Sequence, residues 1–329
     1  MKKITRIISL AFVFVLCALS AFALTSCSKK ETDDNLEYLY LTMKDNGGNE
    51  FEGWFVSDVL DKSATEVIIP ETIGGEPVIG IYEYAFQDCT AIKKLSIPKS
   101  IVYIDRGTFE KAPSTITELY YNAVELDDVV VESKNSSFTP AGITYFKGLG
   151  VGGDGVAVTI GKDVKSIPGG LFYVAQSNGA REGLPKITSV TFEAGSVCET
   201  IGTYSFYGQN IESIELPKSV QTVEQAAFSN GKLTSVKLND GLLKIEAQAF
   251  CGNSNDYPTT VSIPSSVTYI GGEAFGNELT SAIFRNPQNW ENVIEDEVIP
   301  EDELEDDKEA AEILNGLNVN EHIARDVND

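Results

Sequence analysis

Short runs in which apolar and polar residues alternate recur along the chain: VII at 67–69, LSI at 95–97, VTI at 158–160, VTF at 190–192, IEL at 214–216, VKL at 236–238 and VSI at 261–263. Alternation with a period of two marks a strand with one face turned inward. A second apolar set accompanies these runs: an aliphatic residue, another three later, and a Phe five after that. Val78/Ile81/Phe86, Ile101/Ile104/Phe109, Val164/Ile167/Phe172, Val220/Val223/Phe228, Leu242/Ile245/Phe250 and Val267/Ile270/Phe275 obey this spacing. Ile201/Phe206 follow it with Cys198 in the first slot. The stretch at 211–231, IESIELPKSVQTVEQAAFSNG, contains the whole unit, and clean copies return every 22 to 25 residues. Where a run ends in Pro70, Pro98, Pro217 or Pro264, the ring removes a ladder donor and fixes φ, so the strand must stop. The predicted unit is a strand, a corner, an extended or single-turn segment, then Phe and a loop back. So short a unit cannot bury its own apolar face, so copies must stack around one continuous core.

The pattern "IP…V..I...AF", as in IPKSIVYIDRGTF, LPKSVQTVEQAAF and IPSSVTYIGGEAF, resembles the BspA-type leucine-rich repeat proteins of bacterial surfaces over roughly residues 36–290. The resemblance implies a right-handed leucine-rich-repeat solenoid, a β-rich superhelix with a parallel sheet, about 22–25 residues per coil and short helical or irregular convex segments. It also implies adhesion to host or matrix proteins, or contact between cells. It does not name the ligand, because one fold hosts many functions.

The ends of the chain depart from the repeat. Lys2, Lys3 and Arg6, an apolar run from Ile7 to Leu24 and small residues before Cys27 form a secretory signal pattern over 1–26. A retained membrane helix would require a strong basic stop-transfer flank, which is missing. Leu24-Thr25-Ser26-Cys27 resembles a bacterial lipobox, which implies a diacylglyceryl group on the Cys27 sulfur; two or three acyl chains anchor stably where one does not. Residues 27–35 read as a polar tether. Residues 36–66, with LEYLYLTM, a KDNGG turn signal and FEGWFV, read as a hairpin cap over the first coil, with Trp54 in its core. The solenoid is expected over 67–290, with a degenerate coil at 122–156 whose Phe is Phe138. Residues 291–329 read as an acidic, partly helical C-terminal cap or tail. Pro300 suits the first helical turn, Gly316 its end, and Leu304, Ala311 and Leu314 the buried face.

Charge narrows the partners. The net charge is −24, which disfavours nucleic acid and anionic bilayers as principal partners. The membrane is reached only through the anchor, and a monomer is expected. Besides Cys17 and Cys27, only Cys89, Cys198 and Cys251 remain, at or near repeat positions, which reads as small buried hydrophobes rather than a disulfide framework. His322 is the single histidine, so a Ser-His-Asp arrangement or a His-based zinc site has no source. The acidic tail lacks a fixed calcium-ligand spacing. Gly148, Gly150 and Gly153 form a formal GxGxxG, but VAVTI follows as a strand, whereas a dinucleotide site needs a helix there. No catalytic, cofactor or metal residues are assigned, and no cofactor is expected.

Binding is the expected activity, and the strand alternation locates it. One outward row is Glu66, Lys94, Glu118, Ala157, Ser189, Ser213, Ser235, Thr260 and Ser281; the other is Ile68, Ser96, Tyr120, Thr159, Thr191, Glu215, Lys237, Ser262 and Ile283. Strands about 4.8 Å apart would spread these rows over roughly 40 Å, the scale of an extracellular protein or an extended glycan. Lys94, Ser96, Glu118, Tyr120, Thr191, Glu215, Lys237 and Ser262 are the candidate ligand face. Tyr120 is the single aromatic there, and the hydroxyls equally suit a solvated sheet. Two other readings remain: an envelope protein that presents polysaccharide, and a carboxylate hydrolase housed in the irregular segment at 122–156.

Overall fold

The computed structural model describes residues 29–44, 50–105, 107–109, 115–126, 146–174, 185–252 and 256–325. The signal segment, Cys27, the turn after Lys44, Asp127-Asp128, Ser136, Phe138 and most of the inserted loop at 176–185 lie outside them.

The predicted alternating runs form one strand per coil: β4 (Glu66–Ile68), β7 (Lys94–Ile97), β9 (Glu118–Tyr121), β10 (Val156–Ile160), β12 (Ile187–Phe192), β14 (Ser213–Glu215), β16 (Ser235–Lys237), β18 (Thr260–Ile263) and β20 (Ser281–Phe284). β4, β7, β9, β10 and β12 make one parallel ladder, and the pairs β14–β16 and β18–β20 continue it. The strands before Pro70, Pro98, Pro217 and Pro264 all end within two residues of the ring. Inward residues such as Val67, Leu95, Leu119, Val158 and Ile214 are buried.

The second apolar set also forms strands. β6 (Glu76–Ile81), β8 (Tyr103–Ile104), β11 (Ser166–Ile167), β13 (Thr200–Ile201), β15 (Thr222–Val223), β17 (Lys244–Ile245) and β19 (Tyr269–Gly271) carry Ile81, Ile104, Ile167, Ile201, Val223, Ile245 and Ile270 inward. β6 pairs β8, and β11 to β19 form a parallel ladder. The segments expected to be extended, helical or irregular are thus a second narrow sheet, and Cys198 fills its predicted slot, fully buried.

A third ladder runs through the Phe turns. Phe172 donates its N–H to the Ser205 carbonyl, Phe206 to Ala227, Phe228 to Ala249 and Phe250 to Ala274, at 2.7 to 2.9 Å. The flanking Tyr204, Ala226 and Gln248 repeat the pattern onto Gln225, Ala247 and Gly272. In the turns that donate this way the residue two before the Phe is left-handed, with φ of 69° at Gly170, 57° at Tyr204, 53° at Ala226 and 58° at Gln248; Tyr84 (59°) and Glu273 (54°) take the same conformation before the first and last rings. Each costs roughly 1–2 kcal/mol for an L side chain, a cost the coil-to-coil bonding and packing must offset. The rings stack into a column, Phe86–Phe109–Phe146–Phe172–Phe206–Phe228–Phe250–Phe275, with centroids 4.7 to 5.7 Å apart. The degenerate coil's place in this column belongs to Phe146, not Phe138. The chain from β9 to Phe146 is long enough that fixed spacing from the strand misplaces the ring. Gly148, Gly150 and Gly152 form turns with positive φ that lead into β10, and no helix opens there.

Both ends are covered. β1 (Lys30–Thr32), β2 (Leu36–Lys44) and β3 (Glu50–Val59) form an antiparallel sheet, and β3 runs parallel to β6. The supposed tether at 27–35 therefore includes a strand. Asp33 turns the chain: its carboxylate accepts the Leu36 N–H at 2.6 Å and the Tyr38 hydroxyl. Burial, reinforced by that carboxylate, pushes the Tyr38 hydroxyl far above its ordinary value. Trp54 is buried and donates to Glu76 at 3.0 Å. At the first corner, β5 (Thr72–Ile73) folds back on β6 through Gly74 and Gly75, whose φ values of 59° and 87° suit a two-residue hairpin turn.

At the other end, β21 (Trp290–Asn292) and β22 (Glu297–Val298) precede α1 (Glu301–Glu305) and α2 (Asp307–Gly316), then β23 (His322–Arg325). The single helix expected after Pro300 is two. Asp306 interrupts it with an extended backbone and caps α2 by accepting the Lys308 and Glu309 N–H groups at 2.9 and 3.1 Å. Leu304, Ala311 and Leu314 are buried against the last coil. β23 pairs antiparallel with β19, which closes the second sheet's edge.

Gln209 bridges coils where the inserted loop leaves the repeat. It is buried, donates to the Phe172 carbonyl at 2.5 Å and accepts the Ile187 N–H at 2.7 Å. Gln209→Leu keeps the volume and leaves both backbone groups unpaired; denaturant unfolding should show a loss of about 1–3 kcal/mol. Phe228→Ala breaks the column between Phe206 and Phe250 and should cost about 3–5 kcal/mol in the same assay.

Candidate functional site

The exposed face is built by register. Glu66, Lys94, Glu118, Ala157 and Ser189 are direct partners across β4 to β12, as are Ser213 with Ser235 and Thr260 with Ser281. The second row aligns likewise: Ile68, Ser96, Tyr120, Thr159 and Thr191, then Glu215 with Lys237, and Ser262 with Ile283. Both rows deduced from alternation are therefore continuous within each ladder. Their middle and C-terminal portion is rich in hydroxyls, and Thr159 and Thr191 hydroxyls lie 3.3 Å apart. The ends are apolar, with Ile68 63% and Ile283 47% exposed.

Both lysines on the face are paired with a glutamate of the neighbouring strand. Lys94 reaches Glu118 at 2.8 Å and Lys237 reaches Glu215 at 2.5 Å. The Glu118 carboxylate, first by its hydrogen bond, raises the Lys94 ammonium above its ordinary range. At the last coils Arg285 pairs with Asp240 at 2.6 Å and donates to the Ser262 hydroxyl at 3.2 Å. Exposed pairs of this kind add little stability, typically below about 1 kcal/mol. Their effect is to leave the face nearly neutral on a strongly acidic protein.

Tyr120 does not stand out from the face. It lies half-buried and donates to Glu193 at 2.8 Å, two coils away, and Glu193 also accepts the Lys162 N–H at 2.9 Å. Burial first, then the Glu193 hydrogen bond and charge, push the Tyr120 hydroxyl up to about 12. The same hydrogen bond holds the Glu193 carboxyl below its ordinary range, so it stays ionised.

Glu193 opens a recess that the sequence reading missed. The ladder is interrupted between β12 and β14, and there a groove of about 540 Å³ is lined by Thr191, Phe192, Glu193, Ser196, Glu215 and Lys218, with the surrounding corner backbone. It brings together Thr191 and Glu215 of the candidate face, while Lys94, Ser96 and Glu118 lie farther along the sheet. A signal for Glu193 was present: it occupies the corner slot that Pro70, Pro98, Pro217 and Pro264 fill elsewhere. Gly161 stands at that slot without a side chain, while two other departures are hydrogen-bonding groups. Asn122 pairs its amide with Asp163 at 3.0 Å, and Asn239 donates to the Val220 carbonyl at 3.0 Å.

The remaining sequence candidates fall into structural places. Cys89 and Cys198 are buried and Cys251 half-buried, all as thiols. Burial pushes the Cys198 thiol up to about 12 and that of Cys251 to about 11, where neither is an effective nucleophile. His322 stacks on Tyr269 with centroids 4.8 Å apart. Among the described residues no group of His, Cys, Asp and Glu is arranged to hold a metal ion, and no helix is long and apolar enough to cross a membrane.

Three solved structures are similar to this chain. A leucine-rich repeat protein from Bacteroides ovatus is 19% identical over 78% of this chain and 66% of its own length, with a TM-score of 0.38, so the chain spans just under two thirds of that protein. A leucine rich cell surface protein from Faecalibacterium prausnitzii is 12% identical over 78% and 88%, with a TM-score of 0.24. The pneumococcal vaccine antigen PcpA is 14% identical over 80% and 83%, with a TM-score of 0.27. No curated protein matches the chain. The sequence model of the BspA type Leucine rich repeat region matches in six copies over residues 61–140 and 177–296. It passes over 141–176, where the structure nevertheless places β10, β11 and two rings of the Phe column. With more than half of its 329 residues matched, and with coils, inner strands and Phe column laid out as that repeat requires, the chain belongs to the family of BspA-type leucine-rich repeat proteins.

Proposed function

We propose that the protein is exported, held on the outer side of the cell envelope through a lipid on Cys27, and binds an extracellular protein along its strand face. The leader pattern before Cys27 supports export and anchoring, and family membership supports a surface role. The observation that carries the binding assignment is the in-register exposed face with the Glu193–Glu215 recess in it. The face offers hydroxyls as sequence-tolerant donors and acceptors, apolar ends at Ile68 and Ile283, and an open recess. The recess sets an ionised Glu193 beside the half-buried Phe192. Such a recess accepts the aliphatic stem and charged head of a Lys or Arg on the partner. Elsewhere the paired charges leave recognition to shape and hydrogen bonds.

The full chain, purified in detergent, is to be tested against immobilised matrix glycoproteins. Saturable binding is expected, with a loss of about tenfold or more in Glu193→Gln, because an unneutralised partner cation in the recess costs at least 1.4 kcal/mol or so. Replacing Lys94 and Glu118 together by Ala should change affinity by less than about twofold, since their pair is satisfied within the face. Binding that survives Glu193→Gln together with Glu215→Ala would move the site off the strand face, and no binding to any glycoprotein would remove the adhesive role.

A further inference from the structure

The turn side of the stack carries a second, chemically different recess. The slot two before each column Phe holds Tyr204, Ala226, Gln248 and Glu273 in successive coils, and the slot one after holds Tyr173, Tyr207, Ser229 and Cys251. Because Ala226 has almost no side chain, the rings of the preceding coils lean over it. Tyr173, Tyr204 and Ala226 form a cluster separate from the main core, with Tyr207 packed against them. Tyr173 and Tyr207 are stacked at 5.3 Å, and Tyr204 meets both edge-on at 6.1 and 5.4 Å. Beyond the rings the next coils supply amides. Asn230 donates to the Tyr207 hydroxyl at 3.2 Å, and Gln248 is steadied by donating to Glu273 at 2.7 Å.

The resulting recess is about 520 Å³, lined chiefly by Tyr173, Tyr204, Tyr207, Gln225, Asn230 and Gln248, with Ser229, Gly252, Val319 and Asn320 at its rim. Among the described residues no Asp, Glu, Lys or Arg lines it, on a chain whose net charge is −24. Burial pushes the Tyr204 hydroxyl up to about 12 and those of Tyr173 and Tyr207 upward as well, so all three stay neutral. Among the described lining residues an anionic ligand finds no cation and a cationic one no carboxylate; the Glu273 carboxylate stands behind Gln248, occupied by its amide. An extended peptide finds no ladder to join, because the turn N–H groups of Tyr204, Phe206, Ala226 and Phe228 already bond the next coil. What remains is an uncharged molecule with an apolar C–H face for the rings and a rim of hydroxyls for the amides.

We propose that this recess is a binding site for a neutral saccharide, with the half-buried Tyr207 as the stacking ring, backed by the buried Tyr173 and Tyr204, and with Gln225, Asn230 and Gln248 as hydroxyl partners. It stands apart from the strand face and does not depend on the protein-binding role assigned there. Its size falls within the range of small-molecule sites, about 300–1,000 Å³.

The test is calorimetric titration of the full chain, in a detergent without a sugar headgroup, with neutral hexasaccharides of glucose, mannose and galactose in α and β linkage. A heparin hexasaccharide serves as the anionic probe. Saturable binding of at least one neutral series is expected, weakened about tenfold or more in Tyr207→Ala and in Gln248→Ala, that is by 1.4 kcal/mol or so. Ala226→Gln, which inserts the side chain that the next coil carries at the same backbone conformation, is expected to abolish it. Should that variant fail to fold, Tyr207→Ala at a half-buried position decides the matter. Glu193→Gln is expected to leave the affinity unchanged, which separates this site from the strand face. Binding only to heparin, binding to no neutral hexasaccharide, or binding indifferent to both Tyr207→Ala and Gln248→Ala overturns the proposal.

Discussion

Everything in this molecule depends on each coil completing its backbone hydrogen bonds on the next. A unit of some two dozen residues has no partner for its strands within itself, and unpaired buried backbone is expensive. The Phe turn satisfies this constraint at its tightest point. There a left-handed residue accompanies N–H groups that point along the stack, and the Phe ring seals the space inside. The conformational cost at Tyr204, Ala226 and Gln248 recurs in successive coils, and Tyr84 and Glu273 share the conformation, so it belongs to the architecture rather than to one site. The Phe column is the side-chain counterpart of the same geometry, since rings held by identical turns fall at the coil spacing.

A stack held this way has two raw ends, and both are closed by segments outside the repeat. The N-terminal hairpin continues the second sheet through β3, and β23 continues it at the far end through β19. The acidic C-terminal segment shows how one stretch serves two environments. Its carboxylates face water, while Leu304, Ala310, Ala311, Leu314 and Leu317 are buried.

The two candidate binding surfaces follow from different slots of one repeat. Outward strand positions carry hydroxyls and self-paired charges, which gives a broad, nearly neutral face with a recess where the ladder is interrupted. Turn positions flanking the column Phe hold tyrosines and amides in neighbouring coils, which gives a recess backed by aromatic rings. A regular scaffold thus acquires chemistry only where particular coils depart from the repeat: Glu193 in a proline slot, and Ala226 between larger neighbours.

The sequence alone determined the coil, its period, the inward residues of both strand sets, the proline stops and the two outward rows, because each rests on spacing between near neighbours. Trp54 in the cap and Leu304 and Leu314 on the buried helical face were legible from local pattern for the same reason. Only the tertiary structure decided which Phe completes the column in the long coil, since the chain between β9 and Phe146 has no fixed length in the repeat. It alone tied Tyr120 to Glu193 and laid the one visible aromatic of the face down along it. It alone gathered Tyr173, Tyr204 and Tyr207 into one wall, because residues some thirty positions apart become neighbours only when coils stack in register, and register is a property of the whole stack.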